Sequence, residues 1–428
     1  MGDRRDSWPG ASPAAPSSLF RRRAFVRFWG ARLFCVLAVQ AESATIGWQV
    51  YTIARHTRGV GESAFLVGMV GLAQFAPLFL LTFIAGVAAD RYDRRVIMLA
   101  CIGAEIVCVL ALALFALRPN PGLAPIFVVA GLFGASRAFL SPASAALGPM
   151  LVPRKDLPRA ISWNSLGDQA GSVIGPWIGG ALCAASPAAA YGGSAFLYAI
   201  AAGALLSMRV NAKPVRQPGS HLEQMREGLA YVWTNKIVLG AISLDLFAVL
   251  LGGASALLPI YARDILDVGA SGFGVLRSGP AIGAATMAFA LSRWPLRRHA
   301  GRWMFAGVAA FGAATLVFAL SKSLIVSVVA LAALGAADMV SVTIRQTLVQ
   351  IVTPDAMRGR VSAAAGLFIG ASAELGEFET GIVARLLGPV GAAVFGGLGS
   401  LFVTGAWAWM FPSLRKADRL DRAEGASI

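Results

Sequence analysis

Ten ionisable side chains interrupt long apolar stretches of this chain: Glu42, Glu105, Arg137, Asp245, Arg277, Asp338, Arg345, Glu374, Glu377 and Glu379. A charge at bilayer depth is costly unless it is paired or wetted, so each marks a place where ions or cargo are handled. Glu374 and Glu377, at i and i+3, share one helix face, with Glu379 pointing elsewhere. Two carboxylates close together in a partly dry cavity make a reversible proton site. Asp338 and Arg345 stand two turns apart, roughly 10 Å along a helix, too far to pair directly without bending toward each other. Glu42, Asp245, Asp338, Glu374 and Glu377 therefore read as a proton or cation relay around one central cavity. Arg137 and Arg345 read as competing charges or cargo contacts. Static ion pairs that orient helices are the alternative for any one of these residues. Arg32, near a helix end, needs only to snorkel to the interface.

Other chemistries lack their residues. His56, His221 and His299 all fall between the apolar stretches, which leaves no histidine relay, and Cys35, Cys101, Cys108 and Cys183 lie in apolar runs without metal-ligand spacing. No nucleophile motif and no phosphate-binding loop is present. Neither enzyme activity nor a cofactor nor a metal is expected.

The elements that must carry these charges are membrane helices. The chain is 57% hydrophobic and only 14% charged, with a mean hydropathy of +0.68. Twelve stretches of spanning length lie near 28–53, 64–88, 96–117, 124–147, 165–185, 189–209, 237–260, 271–292, 303–320, 323–348, 362–386 and 390–411. They lack the alternation of a membrane barrel, and the predicted class is all-α. The net charge of +15 invites a nucleic-acid reading, but roughly 27 of the 37 Lys and Arg fall in alternate loops and the two tails, the positive-inside pattern. That pattern puts both termini in the cytoplasm and makes nucleic acid unnecessary as a partner. Residues 1–20 lack a signal-peptide core and read as a disordered tail, with a second tail at 413–428.

The two halves repeat. Gly71 and Pro77 match Gly274 and Pro280 (274 − 71 = 203; 280 − 77 = 203), Arg91 matches Arg293 (202), and Pro153 and Arg159 match Pro354 and Arg360 (201). In the same register Glu42 matches Asp245 and Arg137 matches Asp338. The expected architecture is two pseudo-symmetric six-helix bundles, 21–210 and 237–412, with a site between them near the midplane. The connector 211–236 carries capping-box spacing at Ser220 and Glu223 and an apolar stripe at Leu222, Met225, Leu229 and Val232. It reads as an amphipathic helix along the membrane interface.

Gly86-x-x-x-Asp90-Arg91-x-x-Arg94-Arg95, between spans two and three, resembles the signature loop of the major facilitator superfamily, and Arg293-x-x-x-Arg297-Arg298 is a degenerate copy without the acid. Gly47–Tyr51, Asp338–Ser341, Thr353–Val361 and Gly376–Glu379 resemble the branch of enterobactin-exporter and macrolide-efflux proteins. The resemblance implies a twelve-helix secondary transporter working by alternating access. It also implies that Gly86, Asp90 and the arginines close a cytoplasmic gate on the start of span eleven, near Val361 and Ser362, with Arg91 and Arg95 bridging. Glu105 lies in a helix that the family keeps outside the cavity. Gly171, Gly175, Pro176, Gly179 and Gly180 resemble the superfamily's antiporter motif: the glycines offer a smooth packing face and the proline bends the helix. After Arg137 the chain departs from the Gly-rich continuation of many proton-coupled exporters. The implied activity is proton-coupled efflux of a small amphipathic molecule by a monomer, with Trp48, Tyr51, Phe75, Phe247 and Phe378 as candidate cavity aromatics. Uptake by the same fold, or a receptor without transport, is the alternative.

Overall fold

The computed structural model describes residues 17–119, 121–210, 221–296, 298–354 and 357–415. Its regular elements are all helices. In chain order the long ones are α1 (Arg23–Arg55), α2 (Val60–Arg91), α3 (Arg94–Ala116), α4 (Ala124–Met150), α5 (Leu157–Ala185) and α6 (Pro187–Leu206). After a connector helix, His221–Thr234, come α7 (Lys236–Gly252), α8 (Gly269–Arg293), α9 (Ala300–Leu320) and α10 (Leu324–Val352). The last stretch, Arg358–Met410, is two helices, because Gly388 adopts φ 76° ahead of Pro389, which breaks it into α11 (358–387) and α12 (389–410).

Local chemistry sets the ends. Asp93 caps α3 by accepting from the Arg95 amide, Ser186 caps α6 ahead of Pro187, and Asn235 caps α7 at the Ile237 and Val238 amides. Beyond Gly252, α7 is prolonged by short turns and a single π-turn, Tyr261–Ile265. Among the described residues nine stretches are long and apolar enough to cross a membrane, and the last of these holds both α11 and α12. The remaining two of the twelve, α5 and α8, are long enough but more polar. α5 starts eight residues before its apolar run, at Leu157 rather than 165, because Ser162 and Asn164 continue the helix.

The helices pack as two bundles with one pattern. α1 packs on α5 and α6, α2 on α4, and α3 on α4 and α6, while α7 packs on the α11–α12 stretch, α8 on α10, and α9 on α10 and α12. Small residues bring the backbones together at equivalent points. A Cβ on Gly134 would fall 2.0 Å from the Gln74 carbonyl oxygen, and one on Gly335 (335 − 134 = 201) would fall 1.9 Å from that of Pro280.

Both tails and the connector differ from the sequence reading. Residues 1–16, 416–428 and 211–220, including Ser220, lie outside the described residues. Ser17–Phe20 is helical, with Leu19 buried beside Phe25 and Val152 and Phe20 edge-on to Trp163, and Leu414 in the turn Pro412–Arg415 is buried under α7 and α9. The connector helix docks on protein rather than lying free. Gly228 meets the Arg360 carbonyl, Glu227 pairs with Arg360, Tyr231 Oη donates to the Val352 carbonyl (3.0 Å), and Val232 packs with Val349 and Val361.

Gly134→Leu and Gly335→Leu each force a side chain into a backbone carbonyl, and overpacking of this kind costs ~1–3 kcal/mol or more. Fluorescence-detected size-exclusion of the detergent extract is expected to lose the monodisperse peak for both, whereas Gly203→Leu, which meets open space, keeps it.

Candidate functional site

Two helix pairs carry the contact between the bundles, α2 with α11 and α5 with α8. On α2, a Cβ on Gly61 would fall 3.2 Å from the Ala384 carbonyl, one on Gly68 2.9 Å from the Gly381 Cα, and one on Gly71 3.0 Å from the Glu377 Cβ. On α5, a Cβ on Gly180 would fall 2.7 Å from the Gly274 Cα of α8, and Gly274 in turn rests on the Pro176 carbonyl. The repeat relates the two contacts: Gly71 matches Gly274 (203), and Pro176 matches Glu377 (377 − 176 = 201). Glu377 therefore occupies the place in the second half that the motif proline holds in the first.

These contacts all lie in the halves of the helices remote from the Arg91–Arg95 loop. Toward that basic side, Gly86 of α2 and Gly359, Gly366 and Gly370 of α11 have open space where a Cβ would point. Ser162 and Ser165 of α5 and Ser362 of α11 are exposed. The cleft between the bundles is open on the basic side and shut on the far side.

At the closed end of the cleft sits a charged crossing. Arg137 of α4 reaches Glu374 of α11 with Nη1 2.8 Å from Oε1, and also approaches Gln74 Oε1 at 3.4 Å. Arg277 of α8 donates to Ser43 Oγ of α1 (2.8 Å), and Glu377 feels the charges of both arginines and of Glu374. These residues lie about 8 to 14 positions from the far-side helix ends, which at ~1.5 Å per residue is near the midplane. Below them, Arg32 forks onto Asp168 (2.9 and 2.7 Å) and reaches Ser144 (3.0 Å), so it ties α1, α5 and α4 together instead of merely snorkelling.

The far side is closed by side chains from both halves. Tyr51 and Arg55 of α1 both donate to Asp264 on the π-turn, the arginine at 3.0 Å, and Arg263 reaches the Thr52 carbonyl at 3.3 Å. Trp48 stacks on Phe273 (centroids 5.7 Å), Phe65 meets Phe378 (6.3 Å), and the Arg385 guanidinium covers Phe65. Of the predicted aromatics, Trp48, Tyr51 and Phe378 are at this crossing. Phe75 rests on Phe79 of its own helix, and Phe247 packs on Trp407 of α12.

The predicted single relay of five acids does not form one chamber. Glu42 faces into the first bundle, 0% exposed, where Tyr198 donates to its Oε2 (3.0 Å) and Glu105 of α3 is its electrostatic neighbour. The rotation of α1 decides this: Glu42 and Gln49, seven apart, meet Tyr198 and Tyr191, seven apart on the antiparallel α6, while Gln40 and Ser43 take the face toward α5 and α8. Asp245 is likewise inside its own bundle, paired with Arg345, and shares a small cavity with Asp338 and Ser341. Arg137, Glu374 and Glu377 remain at the crossing. Arg277, which had no assigned role, and Glu105, taken as remote, join the crossing and the Glu42 cluster respectively. Arg277 could have been found from the repeat, since it matches Gln74 (203), the neighbour of Arg137.

The signature loop holds its own bundle in this form. Arg95 donates to the Leu205 and Leu206 carbonyls at the end of α6 (both 2.8 Å), and Arg94 to Ala146 of α4 (3.2 Å). Among the described residues Arg95 makes no bridge to α11; its guanidinium serves instead as a C-terminal helix cap on α6. Asp90 and Arg91 stand exposed at the end of α2. In the glycine motif, Gly171, Gly175 and Gly179 seat α5 against Val36, Gln40 and Ala41 of α1, while Gly180 seats it against α8.

Comparison with known proteins agrees with this architecture. The family described as transmembrane secretion effector matches residues 11–426. The Enterobactin exporter EntS of Shigella boydii serotype 18 is 29% identical over 394 residues, covering 89% of this chain and 90% of the relative, and EntS of Escherichia coli O139:H28 matches equally. Among solved structures, a POT family transporter in complex with 5-aminolevulinic acid is similar with a TM-score of 0.72 at 13% identity, covering 92% of this chain and 97% of that one. A bacterial homolog of the human lysosomal transporter Spinster, inward-facing and unoccupied, has a TM-score of 0.67 at 14% identity, with 95% and 97% covered.

The Arg137–Glu374 pair is an ion pair between the bundles near the midplane, and a double-mutant cycle isolates it. Arg137→Glu and Glu374→Arg are each expected to lower the thermal midpoint of the purified protein, and the charge-swapped double variant to recover most of the loss, a coupling of about 1–3 kcal/mol.

Proposed function

The chain belongs to the transmembrane secretion effector family of the major facilitator superfamily and is a multi-pass secondary transporter of the bacterial inner membrane; from that premise we propose that it is a proton-coupled exporter of a small amphipathic molecule. The bundles are 21–210 and 237–412, joined by the connector 211–236, with both tails and the basic side in the cytoplasm and one chain sufficient for transport. The name of the exporters it resembles supports a siderophore-like cargo.

The observation that carries this reading is the Arg137–Glu374 pair at the closed end of a cleft that opens on the basic side. Cargo enters from the cytoplasm and reaches the crossing. For the protein to open outward, this pair has to break and the far-side contacts at Asp264 have to part. A proton taken up by a membrane carboxylate shifts the balance between the two forms, so proton arrival from the far side and rocking of the bundles are linked. Asp338, Glu374 and Glu377 are the carboxylates from which the relay is drawn. Glu42, enclosed by α1, α3 and α6, is left out of it.

On the basic side Gly86 leaves room for α11 to approach when the cleft closes, and Asp90 then meets the start of that helix. Everted membrane vesicles made with the wild-type protein and energised to an acid interior are expected to accumulate a siderophore or amphipathic dye, and an uncoupler to release it. Loss of internal substrate on energisation identifies uptake instead. Gly86→Leu is expected to express and fold as the wild type while losing this accumulation, because its side chain has space only while the cleft stays open.

A further inference from the structure

Inside the second bundle, apart from the crossing, lies a triad with one carboxylate too many. Asp245 of α7 is 4% exposed and pairs with Arg345 of α10, itself 3% exposed. Asp338, two turns along α10 from Arg345, makes no ion pair among the described residues. It faces Asp245 across a cavity of about 10 Å³, roughly the room of one water molecule. The rest of that cavity is Ser341 of α10, Ala248 and Val249 of α7, and Val308 and Phe311 of α9, so among the described residues no further charge lines it. Arg345 keeps a buried Nε donor without an acceptor. The triad therefore carries a net charge of −1 when both acids are ionised, inside an apolar bundle, with a spare donor close by.

From this geometry we infer that Asp338 holds the coupling proton, across a water-sized gap from the Asp245–Arg345 pair, at a site separate from the cargo crossing. This rests on the proton-coupled reading and gives the proton a location within it. With the proton on Asp338 the triad is neutral and needs no further partner. When the proton leaves, the carboxylate at Asp338 repels Asp245 and draws Arg345, whose spare Nε is the donor it can take. A shift of Arg345 from Asp245 toward Asp338, on its own helix, would release the bond between α10 and α7 within the second bundle. Asp338 matches Arg137 in the repeat (338 − 137 = 201), so the position that holds the crossing cation in one half holds the proton acid in the other.

The test needs neither cargo nor a direction of transport, so its failure is distinct from failure of the vesicle experiment. Cargo-free protein reconstituted in lipid is titrated while infrared difference spectra follow the protonated-carboxyl C=O band. A titrating band is expected in the wild type, in Glu374→Gln and in Glu377→Gln, and its loss is expected in Asp338→Asn. Ser341→Ala, which removes only a hydroxyl from the cavity, is expected to keep it. If Asp338→Asn does not yield folded protein, Asp338→Glu decides: the band shifts in frequency if Asp338 is its source. Persistence of the band in Asp338→Asn, its disappearance in Glu374→Gln, or an unshifted band in Asp338→Glu overturns the assignment.

Discussion

An ionised side chain in the middle of a bilayer has to find a counter-charge, a hydrogen-bond partner or water, and the arrangement of this protein follows from where each one does so. Glu42 and Glu105 are enclosed together in the first bundle with a tyrosine donor. Asp245 finds Arg345 in the second. Arg137 and Glu374 find each other only because the bundles meet. The first two arrangements survive any rigid rotation of one bundle against the other. The third does not, so the relative position of the halves depends on it together with the far-side bonds at Asp264. Removing one partner of such a pair leaves a charge uncompensated near the midplane, where the cost is highest.

The close approach that makes the pair possible comes from small residues. α2 and α11 touch through Gly61, Gly68, Gly71 and Gly381, and α5 and α8 touch through Gly180 and Gly274. These contacts lack interlocking side chains, so they resist sliding less than a packed core does. The repeat then distributes different chemistry over one geometry. Where the first half has Pro176, the second has Glu377, and where the first has Gln74, the second has Arg277. The asymmetry of charge, laid on symmetry of backbone, is what gives the two halves different work.

Much of the fold was legible in the sequence because apolar length, loop charge and a constant repeat offset each constrain it independently. The all-helical class and the long apolar helices are seen as those signals predicted. Helix rotation was not legible. Glu42 looked like a cavity residue because it is acidic, embedded and matched to Asp245, yet both carboxylates turn into their own bundles, where Tyr198 and Arg345 receive them. A carboxylate placed by periodicity alone has several neighbouring helices to choose from, and its partner decides. Helix ends were also missed where the helix continues through polar residues: Ser162 and Asn164 fell outside the expected span but belong to α5. Arg32 seemed self-explanatory near an interface, because nothing in its local sequence reveals Asp168, which is 136 positions away.

The central claim is that the Arg137–Glu374 bond holds the bundles in the form open on the basic side. Double electron–electron resonance measures it most directly, with the four buried cysteines replaced by alanine and labels at Arg118→Cys with Lys322→Cys on the far side, or at Tyr92→Cys with Trp294→Cys on the basic side. The account predicts that adding Glu374→Gln shifts the far-side distribution to longer distances and the basic-side distribution to shorter ones. Identical distributions with and without the substitution would contradict it.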